Sequence, residues 1–174
     1  LYVGLDPRKE NHPIYEKQAD YYANQLGFFE TEKKTKFHCE PAEEFDFDQY
    51  EDTFDIIFTS PPYFNVERYS YDDTQSWVRY KNIDQWNKNF LQRSIENMWA
   101  SLRSGGKLCV NIADVNASSQ GMKKKGWLKI CDPMNDFIQN YGGMEYKGCI
   151  GMEMAKRPNS GGAGTAKDKT QYSE

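Results

Sequence analysis

The chain has 174 residues, a formal net charge of −4, 38% hydrophobic residues and 28% charged residues. This balance predicts one globular domain with a core of its own, and it argues against a disordered chain or a polybasic arm that binds nucleic acid mainly through charge. No apolar run approaches the roughly 20 residues that a helix needs to cross a bilayer, so we expect no membrane span.

Four cysteines lie far apart in the sequence, at Cys39, Cys109, Cys131 and Cys149, and form no Cys-x-x-Cys pair. Only two histidines are present to join them, which argues against a zinc site and against a disulfide framework. No charged-then-apolar leader opens the sequence, so we expect no secretory signal at this start. We therefore expect no metal site, reduced and mostly buried thiols, and a cytoplasmic location.

The first half of the chain alternates short strands with one helix. Residues 1–6 form an apolar run that predicts a strand, and Pro13 begins a helix that is capped by Gly27. Short apolar runs predict two more strands, over 35–39 and 54–59. The second of these runs is continuously apolar, as expected for a parallel strand that is covered on both faces.

The second half contains a long helix and a shorter one. Helical spacing of apolar residues predicts an amphipathic helix over 83–102, which the Gly105–Gly106 pair stops. Residues 107–113 predict a buried strand, residues 132–141 a helix and residues 144–154 a last strand. The alternation of strands and helices indicates an α/β protein with a doubly wound, mostly parallel sheet, whose ligands bind beyond the carboxyl ends of the strands.

The most informative segment is Ser60-Pro61-Pro62-Tyr63, which directly follows the apolar run over 54–59. The Ser60 hydroxyl and the Pro61 carbonyl are two acceptors that can hold the two N–H bonds of an amine, and neither proline adds a competing N–H donor. Tyr63 offers a flat face on which a base can stack. The alternative is a turn that ends the strand and contains a buried tyrosine.

This segment resembles the catalytic motif of the amino-directed DNA methyltransferases, in which Asp, Asn or Ser precedes Pro-Pro and an aromatic residue. The resemblance implies a Rossmann-like class I methyltransferase fold, with Ser60, Pro61, Pro62 and Tyr63 as catalytic residues. It also implies methyl transfer from S-adenosyl-L-methionine to the exocyclic amine of a base flipped out of double-stranded DNA. Serine at the first position favours N4 of cytosine over N6 of adenine.

The next residues are similar to the substrate-side loop of the same family. The resemblance implies that Tyr63, Phe64, Asn65 and Arg68 contact the flipped base and its flanking phosphates. A surface loop with some packed aromatic residues is the alternative. The lysine triplet over 123–125 is a further candidate for phosphate contact, with a solvated loop as its alternative.

On the cofactor side, the resemblance implies roles for Asp6, Pro7 and Glu43. Asp6 follows the first strand, where an acid can accept from two ribose hydroxyls; an aspartate that stabilises a turn is the alternative. Glu43 is the favoured partner of the adenine amine within the acidic segment 40–44, which otherwise indicates a solvated loop.

The family's aromatic-x-Gly-x-Gly cofactor motif is absent from this sequence and would lie upstream of Leu1. We therefore expect residues 1–154 to form a partial catalytic domain that lacks its first strand and binds cofactor weakly by itself. Residues 155–174 are glycine-rich and predict a flexible tail. No sequence feature indicates an oligomeric state.

Two other functions fit the same residues. Relatives that methylate an RNA base or a protein amide share the fold and mostly carry Asn at the position of Ser60. A catalytically silent nucleic-acid-binding module would keep the sheet as a docking scaffold, because a fold alone does not fix a function.

Overall fold

The computed structural model describes residues 1–25, 34–116 and 126–151. The chain divides into two compact units, Leu1–Met144 and Glu145–Glu174. Residues 144–151 contain no regular secondary structure, so the strand predicted over 144–154 is wrong for these eight residues. Several predictions fall outside the described residues: the cap at Gly27, the lysine triplet over 123–125, residues 152–154 of the last strand, and the tail over 155–174.

Strands and helices alternate along the first unit. In chain order the elements are β1 (Tyr2–Leu5), α1 (His12–Gln25), β2 (Thr35–His38), β3 (Phe54–Thr59), α2 (Ser76–Arg79), α3 (Ile83–Trp86), α4 (Arg93–Ser101), β4 (Leu102–Val110), β5 (Val115–Asn116), β6 (Trp127–Leu128) and α5 (Cys131–Tyr141). A π-helical turn over Asn87–Gln92 joins α3 to α4, so the long helix predicted over 83–102 is confirmed as one continuous helical segment.

The strands pair two by two. β1 pairs with β2 and β3 pairs with β4, both in parallel, whereas β5 and β6 form an antiparallel pair that the sequence pattern did not predict. The α/β class and the parallel pairing are therefore confirmed. The described residues do not form the single doubly wound sheet that the alternation predicted, because β1 and β3 are not paired with each other.

A groove of about 630 Å³ separates the two parallel sheets, and nearly every residue of β1 and β3 lines it. The open edges of these two strands therefore face the groove. On β3, Ile56 is 62% exposed and Phe58 is 70% exposed. The prediction that β3 is covered on both faces is wrong, because the face that carries Ile56 and Phe58 is largely exposed among the described residues.

The Gly105–Gly106 pair has a different role from the predicted helix stop. The helix already ends at Ser101, and the pair lies inside β4, where the pairing with β3 shifts between Phe54 and Ile56. A Cβ atom on Gly106 would lie 2.8 Å from the carbonyl oxygen of Arg103, too close for any other residue. The glycines therefore form a bulge that lets β4 begin directly after the helix.

The core is built mainly from aromatic and large aliphatic side chains that pack around the helix over 83–101. Its buried members are Phe45, Phe47, Tyr50, Phe64, Trp86, Phe90, Leu91, Ile95, Met98, Val115, Leu128, Ile130 and Met134. Much of the aromatic content is thus structural. Among the described residues, no helix has both the length and the apolar composition that a bilayer crossing requires.

All four cysteines are free thiols. Cys39, Cys109 and Cys149 are exposed and Cys131 is half-buried, so the prediction of mostly buried thiols is wrong. Cys109 lies on β4, where half-buried and exposed side chains alternate from Gly106 to Val110. Cys109 is on the exposed side, which explains the difference.

Candidate active site

A cavity of about 410 Å³ lies at the carboxyl ends of β1 and β3. Six of the residues singled out from the sequence line it: Asp6, Pro7, Glu43, Ser60, Pro61 and Pro62. These residues come from three separate segments of the chain. The fold therefore brings the candidate cofactor-binding acids and the candidate catalytic corner to one cavity.

The corner after β3 contains two residues that line this cavity and carry oxygen acceptors, Ser60 and Pro61. Ser60 is exposed, and Pro61 is buried. The Phe64 N–H donates to the Pro62 carbonyl at 3.0 Å, which folds the chain back on itself. No N–H or O–H group of the described residues donates to the Pro61 carbonyl. The Pro61 carbonyl therefore has acceptor positions open among the described residues, and Pro61 lines the cavity.

The aromatic residues of the corner lie away from the cavity. Tyr63 is half-buried and packs against the core, with its backbone N–H 3.3 Å from Glu67 Oε2. Phe64 is 1% exposed and contacts Trp86 edge to face, at 6.1 Å between ring centroids. Phe64 also has a φ of +54°, an unusual backbone conformation for a residue other than glycine. Phe64 is thus a core residue that fixes the turn, and it has no surface for a base.

The two polar residues of the predicted substrate loop are also outside the cavity lining. The Asn65 carbonyl accepts from Arg68 Nε at 3.2 Å, and the Asn65 Oδ1 atom is buried without a partner among the described residues. Arg68 is exposed, and its guanidinium lies over the ring of Trp77 at 5.1 Å. Arg68 therefore lies on a surface that includes an aromatic ring, a combination that suits nucleic acid.

Several cavity residues were not predicted from the sequence. Tyr69, Thr74, Gln75 and Ser76 line the cavity from the loop that precedes α2 and from its first turn. Burial, and then the neighbouring carboxylate of Glu67, raises the pKa of Tyr69. The stretch over 63–82 has no helical or strand period, so only its position after the Pro-Pro corner could have drawn attention to these residues.

Asp6 is held firmly by its own loop. Its carboxylate accepts from the Arg8 N–H at 2.9 Å, Asn11 Nδ2 at 2.7 Å and the Tyr15 hydroxyl at 2.5 Å. Burial disfavours the charged carboxylate, but these three hydrogen bonds outweigh it and lower the pKa of Asp6. A carboxylate has about four acceptor positions, so about one remains for a ligand hydroxyl.

Glu43 is a buried acid at the same cavity, 5% exposed. Its Oε1 atom lies 3.6 Å from Arg79 Nη1 and accepts from the Tyr80 hydroxyl at 3.4 Å, while its Oε2 atom has no partner among the described residues. Burial raises the pKa of Glu43, and Arg79 opposes this effect only in part, since its closer partner is Glu44 at 2.5 Å. An acid left partly unpaired at a cavity indicates a ligand-binding role.

Asp114, near the end of β4, has a structural role. Its Oδ1 atom accepts from the backbone N–H groups of Ile130 and Cys131 at 2.8 and 2.9 Å, at the start of α5. Lys129 Nζ lies 3.3 Å from its other oxygen. Burial disfavours the charge, but these backbone hydrogen bonds and Lys129 lower the pKa of Asp114. Asp114 therefore anchors α5 to the strand end and does not face the cavity.

No protein-family model, no curated protein and no solved structure matches this chain. Within the described part of the chain, no group of three or more His, Cys, Asp or Glu side chains could hold a metal ion.

Proposed function

We propose that this chain is the larger part of the catalytic domain of an S-adenosyl-L-methionine-dependent DNA amino-methyltransferase. The target would be the exocyclic amine of a flipped base, with N4 of cytosine favoured and N6 of adenine next. The observation that carries the proposal is the shared cavity. Ser60 and Pro61, which carry two oxygen acceptors, line the same cavity as two acids, Asp6 and Glu43, that suit a nucleoside cofactor.

The two acceptors match the chemical problem that an exocyclic amine poses. The nitrogen lone pair of such an amine is delocalised into the ring, so the amine is a poor nucleophile. Hydrogen bonds from its two N–H groups to Ser60 Oγ and to the Pro61 carbonyl would favour a tetrahedral nitrogen and free the lone pair for attack. The nitrogen then forms a bond to the methyl carbon and loses a proton. That proton passes to water, because a serine hydroxyl is a poor final proton acceptor.

The acids fit the nucleoside half of the cofactor. When bound, S-adenosylmethionine would supply a methyl group from its sulfonium sulfur. Loss of that methyl group would leave the sulfur as a neutral thioether. The unpartnered Oε2 atom of Glu43 suits the amine of adenine, and the remaining acceptor position of Asp6 suits a ribose hydroxyl. Both acids are held in position by neighbouring side chains, which would favour an ordered site for a nucleoside.

The groove between β1 and β3 supports a Rossmann-like fold that is completed by one more strand. Both bordering strands have open edges, and each is already paired in parallel on its other side. A strand inserted between them would join β2, β1, β3 and β4 into one sheet. In the proposed family this strand carries the glycine-rich loop for the methionine part of the cofactor.

Product identification tests the proposed function. The protein encoded by the complete reading frame is incubated with methyl-labelled S-adenosylmethionine and duplex DNA, and the DNA is then digested to nucleosides. We expect label in N4-methylcytosine or in N6-methyladenine. A Ser60→Ala variant should incorporate label about 100-fold more slowly, whereas Ser104→Ala, at an exposed serine on β4, should be unaffected.

Other outcomes of the same experiment select the alternatives. Label in RNA or in protein, supplied in parallel reactions, would assign the enzyme to another substrate. No transfer to any acceptor, with DNA binding retained, would indicate a silent binding module and contradict the proposed activity.

A further inference from the structure

Asn111 lies at the end of β4, directly beside the catalytic corner. Its backbone N–H donates to the Thr59 carbonyl at 2.8 Å, which extends the pairing of β3 and β4 one residue past the Thr59–Val110 pair. Its side-chain Nδ2 donates to Ser60 Oγ at 3.4 Å. The backbone of Asn111 is therefore fixed relative to Ser60, and its amide is within reach of the reactive oxygen.

The Ser60 hydroxyl needs such a partner. A serine side chain rotates among three staggered positions, and its hydroxyl is either donor or acceptor toward a neighbour. Ser60 is exposed, and Asn111 is the only side chain of the described residues that hydrogen-bonds its hydroxyl. The 3.4 Å separation is longer than a typical N–H···O bond, as is common in active sites that tighten when substrate binds.

We propose that Asn111 is a positioning residue that holds Ser60 Oγ toward the cavity as an acceptor for the target amine. The inference rests on the proposed methyl transfer. Asn111 does not line the cavity, so it acts through Ser60 and makes no contact with the base. Loss of the amide would leave the Ser60 oxygen free to rotate away, which lowers the rate of the chemical step and leaves DNA and cofactor binding unchanged.

A double-mutant cycle on methyl transfer tests this role. Asn111→Leu, which is similar in size to asparagine, should lower kcat about tenfold at unchanged KM for DNA, because a displaced catalytic group reduces the rate without affecting binding. In a Ser60→Ala background the same change should have no further effect. An equal loss in both backgrounds, or no loss in either, would overturn the proposal. Should the leucine variant fail to fold, Asn111→Ala takes its place in the cycle.

A second measurement does not depend on methyl transfer. In a Ser60→Cys variant, the pH dependence of alkylation, followed for this cysteine by peptide mass spectrometry, gives the pKa of its thiol. Asn111 donates to the thiolate in this variant, so adding Asn111→Leu should raise the thiol pKa, whereas adding Asn89→Leu, at an exposed helical position, should not. An unchanged pKa would show that the contact is absent and overturn the proposal. If the protein without substitutions transferred no methyl group, that result would contradict the proposed function. The thiol pKa would still show whether Asn111 contacts the side chain at position 60.

Discussion

At the scale of single residues, neighbours in the sequence lie in different surroundings, some at the cavity and some in the core. Ser60 and Pro61 line the cavity, whereas Phe64, only three residues after Pro61, is part of the core. The sequence pattern singled out Ser60 and Pro61, and both line the cavity. It could not separate Phe64 from the substrate loop, because an aromatic side chain is equally suited to a core and to a stacking surface.

A first prediction concerns the aromatic ring that stacks on the target base. Tyr69 lines the cavity and Tyr63 does not, although the family resemblance assigns the base contact to Tyr63. We expect Tyr69→Ala to raise KM for DNA, because each base–aromatic stack contributes about 1–3 kcal/mol. We expect Tyr63→Ala to reduce turnover through displacement of the corner. Steady-state kinetics of both variants separate these effects, and an unchanged KM in Tyr69→Ala would exclude a stacking role for Tyr69.

A second prediction concerns the stability cost of Glu43. Burial raises its pKa, so the folded protein binds a proton here more readily than the unfolded chain does. Stability from this group is therefore fully present below the unfolded pKa of about 4.3 and is lost as the pH rises through the folded value. We expect Glu43→Gln to raise the melting temperature at pH 7 and to flatten its dependence on pH above about 4.3, as followed by calorimetry.

The same substitution should weaken cofactor binding in the protein from the complete reading frame, because an amide replaces the free carboxylate oxygen. Glu44→Gln, at the exposed neighbouring acid, is the matched control and should leave cofactor affinity largely unchanged. A Glu43→Gln variant with lower stability and full affinity would show that Glu43 is only a partner of Arg79.

At the scale of elements, local pattern predicted most strands and helices but not how they end or pair. The helix over 83–101 and the strand β3 follow directly from apolar spacing. The bulge at Gly105–Gly106 was read as a helix stop, because glycine pairs mark both features. The β5–β6 pair has strands of two residues each, which are too short for a periodic signal. The exposure of Ile56 and Phe58 on β3 depends on what packs over that face of the strand, and no local pattern contains that information.

A third prediction concerns the attachment of α5 to the end of β4. Asp114→Ala removes the acceptor of two backbone N–H groups at the start of α5, so we expect a loss of about 1–2 kcal/mol in the free energy of unfolding. The pKa of Asp114 is lowered, so its contribution is present above the unfolded pKa of about 3.9 and is lost as the pH falls through the folded value. The loss in the free energy of unfolding caused by Asp114→Ala should therefore be smaller at acidic pH.

Chemical denaturation at pH 7 and at pH 3 measures this deficit. Asp136→Ala, at an exposed position within α5, is the control for a change of charge and should have little effect at either pH. A deficit of the same size at both values would contradict the charged hydrogen bonds of Asp114.

At the scale of the whole molecule, the described residues supply the cavity side of the site and leave the groove side open. The cavity contains the corner and both acids, while the adjoining groove exposes Ile56 and Phe58 between two open strand edges. Unpaired edges and exposed apolar side chains favour association with a further strand. The proposed fold thus accounts for a feature that a set of separate two-stranded sheets leaves unexplained.

A fourth prediction follows from this groove. Backbone amides of β1 and β3 should exchange hydrogen more slowly in the protein from the complete reading frame than in the 174-residue chain, because a central strand would pair both edges. The amides of α5, which lie outside the groove lining, are the internal control. Equal exchange rates for β3 in the two proteins would contradict an inserted strand.

The central claim is that Ser60 and the Pro61 carbonyl hold a target amine in the cavity that also contains Asp6 and Glu43. Single-turnover methyl transfer to duplex DNA, at saturating cofactor, tests it most directly. Ser60→Ala should reduce the rate of the chemical step about 100-fold, comparable to the loss of one preorganised hydrogen-bonding group at an enzyme's reacting centre, while Ser104→Ala should transfer at the unmodified rate. Equal rates for the two variants would contradict the assignment of Ser60 to catalysis.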